Sequence, residues 1–93
     1  MKNINLIYGK SGSGKEIFVK SLLKEYPNLI CKNIIPANEK WKDNAVYITM
    51  GNHHLFCTWI EKIIDWSDKY NCKVFIETNN EDVAIELINK LKG

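Results

Sequence analysis

Apolar and polar positions along this chain fall into two alternating kinds of run. Ile4 to Tyr8, Leu29 to Ile35, Ala45 to Met50 and Lys73 to Glu77 are short, rich in Ile, Val, Tyr and Phe, and bounded by Gly, Asn or Pro. Runs of that length and composition read as strands inside a sheet covered on both faces. The longer segments between them repeat at helical spacing. In the first, Phe18, Leu22 and Tyr26 follow one another at i, i+4 and i+8 with Val19 and Leu23 beside them, while Lys20, Lys24 and Glu25 face water. In the second, from His53 to Tyr70, Phe56, Trp59, Ile60, Ile63 and Ile64 share a face opposite Glu61, Lys62, Asp65 and Asp68. The third carries Val83, Ala84, Leu87, Ile88 and Leu91 as its buried stripe.

Punctuation agrees with these assignments. Pro27 closes the first helix, because the residue before a proline avoids the helical region. Gly51-Asn52 stops the third strand, Asn71 suits the end of the second helix, and Thr78-Asn79-Asn80 suits the start of the third. The order β-α-β-β-α-β-α predicts a three-layer α/β domain with a mostly parallel four-stranded sheet and three helices. Only Pro36 to Asn44 is left as a long connection, and Trp41 within it is expected to fold back onto the core or, less simply, to stack on a ligand.

Composition adjusts the picture in a few respects. Ninety-three residues with 45% hydrophobic content form one domain, residues 1–93, with a single core. No run of about 18 apolar residues is present to span a bilayer, and the N-terminus enters a strand without a secretory h-region, so a cytoplasmic location is expected. The net charge of +2 comes from 13 lysines and 11 acids spread along the chain, which gives no footprint for nucleic acid. Cys31, Cys57 and Cys72 are odd in number and lack C-x-x-C spacing, so they are expected to be small core residues with free thiols.

Candidate chemistry concentrates in Gly9-Lys10-Ser11-Gly12-Ser13-Gly14-Lys15-Glu16, between the first strand and the first helix. The spacing Gly9-x-x-x-x-Gly14-Lys15 is that of a phosphate-binding loop, where glycines let backbone N–H groups curl around an anion and the lysine reaches the β- and γ-phosphates. The helix behind it adds partial positive charge. Where the motif asks for Ser or Thr on Mg²⁺, this chain has Glu16. A structural reading stands beside the functional one: Ser13-x-x-Glu16 is also a capping box. His53 and His54 with Cys57 have short helical spacing suited to zinc, although no fourth ligand is evident.

With the phosphate loop, the stretch from Ala45 to Leu91 resembles the last third of SMC-like and overcoming-lysogenisation-defect-type ABC ATPase heads. The likeness runs through Val46-Tyr47-Ile48-Thr49-Met50-Gly51-Asn52-His53-His54, the helix with Trp59 to Ile64, and Asn71 to Asn79. It implies a P-loop NTPase-like fold binding ATP or GTP with Mg²⁺. The departures are as informative. Where the family's Walker B strand ends in Asp-Glu, this strand ends Thr49-Met50, and no acid occurs between Asp43 and Glu61. Asn79 stands at the family's switch histidine, and the signature and glutamine-loop segments are missing. Phosphoryl transfer depends on placed charge, of which Lys15 survives, with Glu16 and Glu77 as possible substitutes. The expectation is therefore nucleotide binding with weak or no hydrolysis. Its alternative is a pseudo-ATPase interaction protein, of the kind a phage or mobile element carries, docking on an ABC-type ATPase or another partner. A small active kinase or triphosphatase is the least supported.

Overall fold

The computed structural model describes residues 3–9, 14–27, 29–32, 41 and 45–92, with Lys15 and 30–32 described by backbone alone. The elements run β1 (Ile4–Tyr8), α1 (Lys15–Glu25), β2 (Ile30–Lys32), β3 (Ala45–Thr49), α2 (His53–Lys69), β4 (Lys73–Thr78) and α3 (Glu81–Lys92). This is the expected order. Residues 33–35, the rest of the expected second strand, lie outside the described residues.

Among the described residues all strand pairs are parallel, and the order across the sheet is β1-β4-β3-β2. Three strands of five or six residues make its body, and the three-residue β2 forms an edge. The chain thus leaves β1 at one edge, crosses to β2 at the other, and returns through β3 to β4. Because parallel crossovers are right-handed, two crossovers running in opposite directions put their helices on opposite faces.

The two cores reflect that division. On one face α1 covers Ala45, Tyr47 and Phe75 with Leu22, and Val19 and Tyr26 pack at the margin. On the other, α2 and α3 cover Ile4, Val46, Ile48, Val74 and Ile76 with Phe56, Ile60, Ile63, Val83 and Leu87. Alternate residues of β3 and β4 go to alternate faces, as the two-residue strand period requires. Each fully buried Ile or Phe contributes about 1.5–3 kcal/mol of apolar transfer, so the larger second core carries most of the stability.

Trp41 belongs to that core. It is 2% exposed and meets the ring of Trp66 edge-on at 5.7 Å, and Trp66 in turn lies 6.2 Å from Trp59. The tryptophan is a structural anchor with no face left for a base.

Helix ends follow the side chains available. The Asn52 Oδ1 accepts from the Leu55 N–H at 3.0 Å and starts α2. Asn80 does the same for α3 through the Asp82 N–H at 2.9 Å. At the end of α2, Asn71 takes φ 48°, the Cys72 N–H donates to the Ser67 carbonyl at 2.9 Å and the Asn71 N–H to Asp68 at 3.3 Å. That is a complete Schellman pair, and asparagine tolerates its left-handed position better than most side chains.

Three expectations about buried faces are corrected. Phe18 and Leu23 are 44% and 43% exposed, so the inward stripe of α1 is Val19, Leu22 and Tyr26. A single helix lying over a twisted sheet buries a narrower stripe than its apolar residues offer. Ile88 is exposed too, because α3 packs through Val83, Ala84 and Leu87 and turns Ile88 outward. Cys57 is exposed on α2, whereas Cys72 is buried just before β4, and the side chain of Cys31 lies outside what is described.

Candidate functional site

Two adjacent strands of this sheet send the chain away over opposite faces. β1 leads to α1 on one side, and its neighbour β4 leads to α3 on the other. Outside the carboxyl ends of such a pair the departing segments diverge and leave a crevice, which is where open α/β sheets gather ligands. Gly9 sits at the mouth of this crevice, its N–H donating to the Thr78 carbonyl at 3.3 Å.

Lys10, Ser11, Gly12 and Ser13 lie outside the described residues. The backbone returns at Gly14 with φ 89° and ψ 10°, and this residue is the N-cap of α1. A Cβ there would meet nothing within 4 Å. The glycine is therefore required by its backbone angle and not by crowding. Lys15 then opens the helix.

This start corrects the capping-box reading. The box needs Ser13 as N-cap, but α1 begins one residue later, and Gly14 supplies no side-chain cap. Glu16 is left as an exposed acid in the first turn, where the helix dipole favours negative charge.

Beside the crevice, on the α1 face, Glu16, Val19, Lys20, Tyr47 and Glu77 line an open groove of about 460 Å³. Glu77 reaches it because odd-numbered residues of β4 point toward α1, as Phe75 does. Its strand position pairs with Ile7 on one side and Thr49 on the other. The two carboxylates that the sequence offered as substitutes for the missing acids thus border one groove. Asn79 and Asn80 stand across the same sheet edge, and the Asn80 Nδ2 donates to the Gly51 carbonyl at 3.2 Å, tying the turn after β4 to the turn after β3.

A second cluster lies between α2 and α3. His53 Nε2 is 3.3 Å from Glu86 Oε1 and 3.6 Å from Cys57 Sγ, and the Cys57 thiol donates to Glu86 Oε2 at 3.1 Å. His54, the neighbour singled out by spacing, does not join this group. One residue further round the helix, it points elsewhere. Glu86 takes its place, contributed from a separate helix, and no local signal near residue 53 could have named it. The hydrogen bond to Glu86 is the chief cause that raises the Cys57 pKa, and the bond from Cys57 is the chief cause that lowers that of Glu86.

The three groups do not form a nucleophilic triad. In such a triad the base uses one ring nitrogen for the nucleophile and the other for the acid. Here both contacts fall on Nε2, and the carboxylate accepts directly from the thiol.

No family model, curated protein or solved structure gives a significant match to this chain. The described helices include none long and apolar enough to cross a membrane.

Proposed function

We propose that this chain is a P-loop NTPase-like nucleotide-binding protein that holds ATP or GTP at Gly9 to Lys15 and hydrolyses it slowly or not at all. The observation that carries the reading is the location of the glycine-rich segment: it joins β1 to α1 at the point where β1 and β4 diverge. Gly14 in the left-handed region turns the chain into α1, and as N-cap it brings no side chain of its own to the first-turn N–H groups, which can then meet an anion. Lys15 supplies the charge partner. Glu16 and Glu77 border the adjoining groove; of the two, Glu77 is the acid that would hold Mg²⁺ accompanying the nucleotide, since hard oxygen donors suit that ion, while Glu16 stands where the motif carries a hydroxyl.

Hydrolysis is weak on this reading because β3 ends at Thr49 and is followed by Met50, with no acid there to orient water. Titration with ATP and GTP, with and without Mg²⁺, is expected to raise the melting temperature, and Lys15→Ala to abolish the rise. Absence of any nucleotide effect at millimolar ligand would refute the proposal. Steady-state turnover near about one per second, an ordinary enzyme rate, would refute its second half.

A second reading, an interaction module docking on an ABC-type ATPase, draws on α1. Ile17 is 72% exposed on its outer side, and Phe18 and Leu23 flank its buried stripe. The test is whether added protein lowers the turnover of such an ATPase, and whether Ile17→Lys with Phe18→Lys relieves that effect.

A further inference from the structure

We propose that His53, Cys57 and Glu86 form a zinc-binding site that links α2 to α3. His53 and Cys57 stand one helical turn apart on the same face of α2, and Glu86 faces them from the middle of α3. One ligand atom from each lies within 4.8 Å of the others. Zinc takes imidazole nitrogen and carboxylate oxygen at roughly 2.0–2.2 Å and thiolate sulfur at about 2.3 Å, in tetrahedral arrangement. Those bond lengths place neighbouring donor atoms about 3.4–3.6 Å apart. The observed separations are 3.3 Å for His53 to Glu86 and 3.6 Å for Cys57 to His53. The contact of 3.1 Å between Cys57 and Glu86 is held by the thiol proton. That contact uses the other carboxylate oxygen, Oε2, so replacing the proton with zinc requires the Glu86 carboxylate to turn until one oxygen faces both His53 and Cys57, a rearrangement within the 4.8 Å over which the three ligand atoms spread.

The donor set selects the ion. A mixed nitrogen, sulfur and oxygen triad is wrong for Mg²⁺ or Ca²⁺, which take oxygen, and right for zinc, which accepts all three. Binding converts the Cys57 thiol to a metal thiolate and releases its proton to solvent, while His53 binds through neutral Nε2. Three protein ligands leave the fourth tetrahedral position to water, consistent with the exposure of Cys57. The Lys90 ammonium is engaged by Glu61 at 2.6 Å and does not occupy the cluster. None of these three residues lines the groove bordered by Glu16 and Glu77, and the proposal does not depend on the nucleotide reading.

The experiment is calorimetric titration of the full chain with zinc, paired with the absorption spectrum of the cobalt(II)-substituted protein. One ion per chain at micromolar affinity is expected, with a thiolate-to-cobalt charge-transfer band and a higher melting temperature. Cys57→Ser should remove the band, and Cys57→Ser and Glu86→Gln should each weaken zinc binding by roughly tenfold or more, since even outer-shell losses cost 10–100-fold. His54→Ala should leave binding unchanged. Failure of the wild-type chain to bind at micromolar zinc overturns the proposal, as does binding that survives both Cys57→Ser and Glu86→Gln or is lost with His54→Ala. Circular dichroism of each variant without metal separates lost ligation from lost folding, because these half-exposed side chains are not needed to fill the core.

Discussion

Glu77 of β4 sits directly opposite Thr49 of β3 in the parallel register. The carboxylate at this carboxyl end of the sheet is thus one strand away from Thr49, where the proposed nucleotide-binding reading lacks an acid. Thr49→Asp would set a second carboxylate beside Glu77, and like charges in neighbouring strands repel by a few tenths to about 1 kcal/mol. The variant should melt lower than wild type in the absence of divalent ions. Millimolar Mg²⁺ should restore much of the loss, and the same addition should leave Thr49→Asn unaffected. Equal responses of the two variants would show that the edge does not gather a cation.

At Glu16 the cap geometry makes a sharper expectation than the motif alone. Since α1 is capped by Gly14, Glu16→Ser forfeits only a charge in the first helical turn, a loss of about 0.3–1 kcal/mol. The new hydroxyl occupies the motif's metal-binding position and removes a carboxylate that repels phosphates. Nucleotide affinity in Mg²⁺ should therefore rise while the melting temperature falls slightly. Unchanged affinity would show that position 16 does not face the nucleotide.

Gly14→Ala tests the loop's backbone. Space for the methyl group exists, but φ 89° puts an alanine in the left-handed region, at a cost of about 1–2 kcal/mol. Urea unfolding of the nucleotide-free protein should show that loss. A neutral result would mean that the segment relaxes to a negative φ without penalty.

Burial pushes the Cys72 thiol up to about 11. Folded protein then keeps this proton where the unfolded chain releases it, so Cys72 contributes stability that is complete below about pH 9 and lost as pH rises toward 11. Unfolding midpoints measured over that interval should fall more steeply for wild type than for Cys72→Ala. Native Cys72 should also resist alkylation at pH 8 under conditions where exposed Cys57 is labelled.

Much of the fold was legible because its signals are local. The stripe Phe56, Ile60 and Ile63 is a 3.6-residue pattern, and α2 buries those residues. Asn52 and Asn80 cap the helices that follow them, and Asn71 ends α2, because short polar side chains reach only their own neighbourhood. The first helix was less legible. Its apolar residues spread over more than half its circumference, and the sheet beneath, not the helix, selected Val19 and Leu22 over Phe18 and Leu23. Of the candidate phosphate loop, sequence named the glycines and the lysine, while the reason for Gly14 is a backbone angle visible only in three dimensions.

By itself, then, the sequence determined the kind and order of the elements, the caps at the starts of α2 and α3 and the end of α2, and the chemical inventory between β1 and α1, since each follows from periodicity or from contacts a few residues apart. The tertiary structure alone decided that β4 inserts between β1 and β3, that Glu77 faces Thr49, and that Glu86 meets His53 and Cys57. Parallel strand order carries no local code, because no tight turn joins the strands and their register is set by how whole helices pack across the sheet. Glu86 lies 33 residues from His53, and it reaches the histidine because buried Phe56 and Val83 hold α2 and α3 against the same face of the sheet.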